Sequence, residues 1–222
     1  MASASVPSTG PPPMESPVFE VVDENQIRPR LDRTSDDPRP VVLMTCAIAD
    51  PLPADIFSLT GAGKSTLAKT VIAKRPNFVR FSADAFVHDT YGLYGIDFAR
   101  DRHAGHMEEA QAHIKTALAA LIREGARDAV LDLSFYSKEY RDEYKAIVED
   151  AGGRWVLVFL DAERGLLWRR IQARRAARDR IPVESGARDG DSAYDIEPET
   201  FEMYCSGFEP PVGEGEIRVS VV

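Results

Sequence analysis

The sequence predicts an α/β fold, a parallel sheet sandwiched by helices, and two observations carry that expectation. From Val41 onward, short apolar runs alternate with longer amphipathic ones across short connections. A glycine-rich run, Gly61-Ala62-Gly63-Lys64-Ser65-Thr66, leads into the first amphipathic segment and follows the most apolar stretch of the chain. Strand–helix alternation of this kind sets parallel strands side by side and covers both faces with helices.

Taken in order, residues 1–39 read as a disordered tail and linker ahead of a domain spanning 40–222. Met1–Pro17 is mostly Ser, Pro, Ala and Gly, with little to bury. Val18–Val22 has the composition of a short edge strand, and Asp32–Pro40 is polar and ends in prolines. Val41–Ala49 is near-continuous apolar, as a central parallel strand is. Lys64–Lys74 reads as a helix and Phe78–Ser82 as a second strand, placed beside the first. Asp84–Asp97 reads as loop. A long helix from Phe98 to Glu124 follows, with Met107, Ala110, Ile114, Leu118 and Leu121 at helical spacing and Gly125 as its stop. Ala129–Ser134 is a third strand, and Ser137 caps a helix from Lys138 to Ala151. Trp155–Leu160 is a fourth strand, and a basic helix runs from Ala162 to Asp179. Residues 180–195 read as a mobile lid or loop. Glu197–Phe208 reads as a last helix and Ile217–Val222 as an edge strand.

Composition narrows the classes. A chain of 222 residues fits one α/β domain plus a tail. Its 36 Asp and Glu against 27 Lys and Arg give a net charge of −9, unlike a non-specific nucleic-acid binder. Two cysteines, Cys46 and Cys205, read as reduced thiols of a cytosolic protein. No apolar run approaches a membrane span, and the N-terminus lacks the apolar core of a signal peptide. The expected location is therefore cytoplasmic, with no membrane partner.

The run Gly61–Thr66 holds the end of a P-loop. Glycines let backbone N–H groups close around phosphate oxygens, and the following helix aims its positive end at them. Lys64 then reaches the β- and γ-phosphates, and Ser65 places its hydroxyl on Mg²⁺. Gly61, Ala62, Gly63, Lys64, Ser65 and Thr66 are accordingly the nucleotide-binding candidates. One position departs from the motif: the first glycine is replaced by Ser58. Omitting residues 50–60 joins Ala47-Ile48-Ala49 to Gly61 with the usual spacing and Ala in the first place. Residues 50–60, with two prolines, thus read as an insertion, either a genuine loop or retained non-coding sequence. The rival reading takes Ile56–Thr60 as the strand end and Ser58 as a true loop member. The chain's asparagines, Asn25 and Asn77, do not form an Asn-Lys-x-Asp guanine reader, which argues against a GTPase switch.

Other polar residues fall near strand ends, where parallel sheets bind ligands. Asp84 is placed to deprotonate a hydroxyl attacking the γ-phosphate, or alternatively to cap a helix. Asp132, behind Val130 and Leu131, suits a Mg²⁺ ligand, or a strand-end carboxylate held by backbone N–H groups. Arg169, Arg170, Arg174, Arg175 and Arg178 form either a lid that stabilises transferring phosphate charge or a solvated face. Lys64, Asp84 and Arg174 are the catalytic candidates, and Ser65 and Asp132 the metal candidates. His88, His103, His106 and His113 have no metal-site spacing. Tyr91–Asp97 either lines an acceptor pocket or packs over the sheet edge.

With these residues in place, residues 41–216 resemble the P-loop kinases and ATPases related to zeta toxins, polynucleotide 5′-hydroxyl kinases and chloramphenicol phosphotransferases, a group that includes AAA-type ATP-binding proteins. The resemblance lies in Ser82-Ala83-Asp84 with Tyr91-Gly92-Leu93-Tyr94-Gly95-Ile96-Asp97, in Val130-Leu131-Asp132 with Arg141, and in Phe208-Glu209-Pro210-Pro211. Arg170 and Arg174 look like that group's lid. The resemblance implies a nucleotide-kinase-like P-loop NTPase fold, ATP, Mg²⁺, and transfer of the γ-phosphate to a hydroxyl, with Asp84 as base. The expected acceptor is a small molecule, nucleotide or nucleotide-sugar; the alternatives are an ATPase that drives a partner and an inactive ATP-binding module. Polynucleotide kinases place an arginine three residues after that aspartate, and here the position is Val87. A polynucleotide 5′-end is thereby a weaker candidate.

Overall fold

The computed structural model describes residues 24–47, 61–185, 188 and 196–221. Among them, five parallel strands form one sheet: β1 (Val41–Ala47), β2 (Phe78–Ser82), β3 (Asp128–Asp132), β4 (Arg154–Ala162) and β5 (Ile217–Val221). Their order is β2-β3-β1-β4-β5. In register, Leu43 of β1 faces Val130 on one side and Val156 on the other. Helices α1 (Glu24–Leu31), α2 (Lys64–Lys74), α3 (Ala83–Tyr91), α4 (His103–Glu124), α5 (Lys138–Asp150), α6 (Arg164–Asp179) and α7 (Pro198–Gly207) complete the described elements.

The two faces of β1 show why its sequence is unbroken apolar. Val41, Leu43 and Ala47 enter a core with residues of α1, α2, α6 and α7. Val42, Met44 and Cys46 enter a second core with residues of α3, α4 and α5. A strand alternates its side chains between faces, so burial on both requires apolar residues at nearly every position.

The strand order corrects one expectation. β2 is not beside β1, because β3 intervenes. Every residue of β3 is buried, whereas Val79, Arg80 and Phe81 of β2 are only partly so. The strand that carries an arginine takes the edge, where its charge reaches solvent and partners. Ser82 then pairs with Asp132, so the loops after β2 and β3 leave the sheet side by side.

Two further segments depart from expectation. Residues 83–91 form α3 rather than loop. Ser82 is its N-cap, accepting from the Ala85 N–H at 3.3 Å, and helix α4 begins at His103 rather than Phe98. The aromatic stretch that follows α3 packs on α4: Tyr91 stacks on His106 at 3.6 Å, and Tyr94 meets His103 edge-on. Along α4 the buried residues are His103, Met107, Ala110, Ile114, Leu118 and Ile122.

Within residues 24–39, expected as part of the tail and linker, two side chains enter the core. Ile27 and Leu31 are buried, which stabilises by about 1.5–3 kcal/mol each. Arg33 donates to Asp128 at 2.8 Å and to the Gly125 carbonyl at 2.6 Å. Arg154 donates to the carbonyls of Arg30 and Asp32, both at 2.8 Å. Asp128, buried in β3, also accepts from the Val41 N–H and from Asn77. The expected disordered residues 1–17, the edge strand 18–22 and the insertion 50–60 lie outside the described residues.

The C-terminal segment is locked from inside. Arg141 is fully buried and donates to both Glu214 carboxylate oxygens, at 2.6 and 2.9 Å, and to the carbonyls of Phe135 and Glu209. Lys145 adds a 2.8 Å ion pair to Glu214. Burial alone raises the Glu214 pKa, but the hydrogen bonds from Arg141 and Lys145 outweigh it and hold the carboxyl below its ordinary 4.5. A depressed carboxylate pKa stabilises the fold above the unfolded value, and that stability is lost as pH falls through the folded one. Glu214→Gln is therefore expected to flatten the acid side of the stability profile below about pH 4.5. Urea midpoints measured against pH for both proteins check this; parallel acid limbs count against it.

Candidate active site

Gly61, Ala62 and Gly63 lie at the start of α2, with β1 ending at Ala47. Gly63 has φ of 93°, a left-handed conformation that a side chain strains, and its carbonyl accepts from the Leu67 N–H at 2.8 Å. A Cβ on Gly61 meets the Leu167 carbonyl of α6 at 3.1 Å, so glycine lets the loop approach that helix. The Ala62 methyl is buried in the core. The first turn of α2 presents backbone N–H groups that no helical carbonyl satisfies.

Two cavities meet at Lys64. The first, about 210 Å³, is lined by Gly61, Gly63, Lys64, Ser65, Thr66 and Arg174. Its only ionised side chains are two cations, as suits an anion. The second, about 350 Å³, is lined by Lys64, Ala83, Asp84, Met107, Gln111, Asp132, Leu133, Ser134 and Tyr140. Among the described residues, Lys64 alone lines both. Burial lowers the Lys64 pKa, and the negative charges of Asp132 and Asp84 act against that fall.

Asp132 ends β3 and accepts from the Ser65 hydroxyl at 3.1 Å. The pair brings a hydroxyl and a carboxylate oxygen together, a donor set that fits a hard cation such as Mg²⁺. Among the described residues no three His, Cys, Asp or Glu side chains gather for a metal. The strand-end alternative for Asp132, satisfaction by backbone N–H groups, is not what the structure shows. Its other oxygen is held by Arg80, with N–O distances of 2.5 and 3.0 Å.

Asp84 lies in the first turn of α3. The cap that its alternative reading assigned to it belongs to Ser82. Val87, one turn on, is buried in the core and cannot present a cation.

The arginines of α6 divide. Arg174 lines the anion cavity. Arg170 is 8% exposed and donates to the Gly61 carbonyl at 3.2 Å. It braces the loop from behind rather than covering it, because it shares the buried helix face with Leu167 and Ile171. Arg175 pairs with Glu197 and Arg178 with Asp179, away from the cavity. Of the expected lid, Val183–Ser185 form a short 3₁₀ turn, and residues 186–187 and 189–195 lie outside the described residues.

Sequence reading missed Arg80, Gln111, Ser134 and Tyr140. Arg80 carried a signal: a charge inside an apolar strand, two residues before Ser82 and thus on the same face. The other three come together only through folding.

Residues 59–193, more than half of the sequence, match the AAA domain family. The chain belongs to that family. A comparison with curated proteins finds no match. The fold is shared with a candidate kinase from Chloroflexus aurantiacus, with a TM-score of 0.56 at 20% identity, covering 82% of this chain and 87% of that one. It is shared too with a component of the Pnkp1/Rnl/Hen1 RNA repair complex, with a TM-score of 0.55 at 16% identity, covering 76% of this chain and 44% of that one. This AAA-family chain thus has the P-loop, kinase-like fold that its motifs lead one to expect. No helix among its described residues is long and apolar enough to cross a membrane.

Proposed function

We propose that this AAA-family protein is an ATP-dependent phosphotransferase that moves the γ-phosphate of ATP to a hydroxyl of a small molecule, nucleotide or nucleotide-sugar in the cytoplasm. The observation that carries the reading is the junction at Lys64: an anion cavity on one side, and a cavity holding Asp84 on the other. ATP phosphates occupy the first, held by the loop backbone, Lys64 and Arg174, with Arg170 fixing the loop. The acceptor occupies the second. Asp84 takes the proton of its hydroxyl as that oxygen bonds to the γ-phosphorus. The bond from phosphorus to the β,γ-bridging oxygen breaks, and ADP leaves with the electron pair. Ser65 and Asp132 are the residues that hold Mg²⁺, which when bound offsets the negative charge of the phosphates. Lys64 and Arg174 stabilise the charge spread over the transferring group. The candidate kinase among the structural neighbours lends support through its fold.

A second reading, an ATP-binding module without turnover, draws on Arg80. Its guanidinium already occupies one oxygen of Asp132. Incubation with γ-labelled ATP and a panel of hydroxyl compounds separates the two: label in an organic product supports the kinase, and ATP binding with no product or free phosphate supports the module. Lys64→Ala is expected to weaken ATP binding about 10- to 150-fold, the loss of a charge-assisted interaction of roughly 1.5–3 kcal/mol. Titration calorimetry measures it, and parental affinity in the variant removes the phosphate-binding assignment.

A further inference from the structure

The wall of the Asp84 cavity says what charge its occupant carries. It holds two carboxylates, Asp84 and Asp132, and one cation, Lys64. With ATP in place, Lys64 is engaged by phosphates. The remaining polar groups are neutral: the Gln111 amide and the hydroxyls of Ser134 and Tyr140. Met107, Leu133 and Ala83 supply apolar surface between them.

Lys64 is the one Lys, Arg or His in that wall, and the Mg²⁺ proposed at Asp132 is shared with the phosphates of ATP. Every Lys, Arg and His of the sequence falls within the described residues, and residues 48–60 contribute only two acids, Asp50 and Asp55. Of the cations nearby, Arg80 is paired with Asp132, Arg141 is buried on Glu214, and Arg174 lines the other cavity. His106 and His113 stack on Tyr91 and Phe86. A phosphate or sulfate on the acceptor is thus placed beside Asp84, with no Lys, Arg or His of the wall but Lys64, which the ATP phosphates engage. Like charges at close range in a part-buried site disfavour binding strongly.

We propose that the phosphate acceptor is a small uncharged hydroxyl compound, recognised by Gln111, Ser134 and Tyr140. The inference rests on the kinase reading above and narrows it, since nucleotide, nucleotide-sugar and polynucleotide acceptors all bring negative charge. The neutral groups offer both donors and acceptors to ring hydroxyls, and burial holds the Tyr140 phenol well above its ordinary pKa, so it stays a donor.

The test uses the full chain, Mg²⁺, γ-labelled ATP and matched pairs: neutral nucleosides and monosaccharides, each beside its monophosphate, together with a 5′-hydroxyl oligonucleotide. The expected result is a kcat/KM at least about tenfold higher for the neutral member, with the nucleoside and sugar arms identifying the source. Gln111→Lys, which adds a cation to the wall, is expected to shift that ratio about tenfold or more toward the phosphorylated member, whereas Gln111→Ala does not. Preference for the anionic member by the parent protein overturns this proposal and leaves the kinase reading intact. So does a ratio that Gln111→Lys leaves unmoved in a folded variant. If ATP binds and neither member of any pair is phosphorylated, the kinase reading fails and this inference fails with it.

Discussion

Asp84→Asn is expected to slow phosphoryl transfer by about 10²–10⁴-fold while leaving ATP affinity at the parental value. The amide keeps the size and most of the hydrogen bonding of the carboxylate but cannot take the acceptor's proton. Asp84 lines the cavity opposite the one formed by the P-loop residues and Arg174, so the ground state of bound ATP does not depend on it. Position at a helix start raises the rival that Asp84 serves the helix. The N-cap of α3 is Ser82 rather than Asp84. The measurement is single-turnover transfer from γ-labelled ATP, alongside calorimetric ATP affinity and thermal stability. Transfer at the parental rate removes Asp84 from the chemistry. Loss of ATP binding instead assigns it to the donor side.

Arg141→Ala is expected to cost about 3–5 kcal/mol of stability, the usual result of stranding one member of a buried ion pair. Arg141 is fully buried, and its guanidinium ties three points together: Glu214, the Phe135 carbonyl and the Glu209 carbonyl. Without it the Glu214 carboxylate, 6% exposed at its side chain, keeps only Lys145 as a charged partner. The segment from Glu209 to Glu216 leads into β5, so the loss reaches the sheet edge. Urea unfolding reads the effect as a lower midpoint at unchanged slope. Replacing both partners, Arg141→Met with Glu214→Leu, is expected to recover part of the loss, because the remaining charge, Lys145, keeps Asp142 at 3.5 Å as its partner. A single variant as stable as the parent shows the network to be idle.

Elements whose signal is local are legible in the chain alone. The unbroken apolar run of β1, the glycines and lysine before α2, the Ser137 cap of α5 and the Gly125 stop of α4 each act within a few residues, and each is where the sequence places it. The anion cavity is legible for the same reason, since Gly61, Gly63, Lys64, Ser65 and Thr66 are neighbours in the chain. What depends on distant partners took shape only in the folded molecule. Helix α1 has a proline within it and few apolar residues, and it is held by β3 and β4 through Arg33, Asp128 and Arg154. The place of β2 at the edge follows from which strand tolerates full burial, a property of the assembled sheet. The second cavity draws on α2, α3, α4, β3 and α5 at once, so Gln111, Ser134 and Tyr140 bear no mark of it in sequence. Arg170 looked like its neighbour Arg174 because both are arginines one helical turn apart. The packing of α6 turned one inward against the Gly61 carbonyl and left the other at the mouth of the anion cavity. A local signal needs only the chain's own geometry, whereas a site assembled across the fold is specified by burial and charge balance that exist only once the sheet has formed.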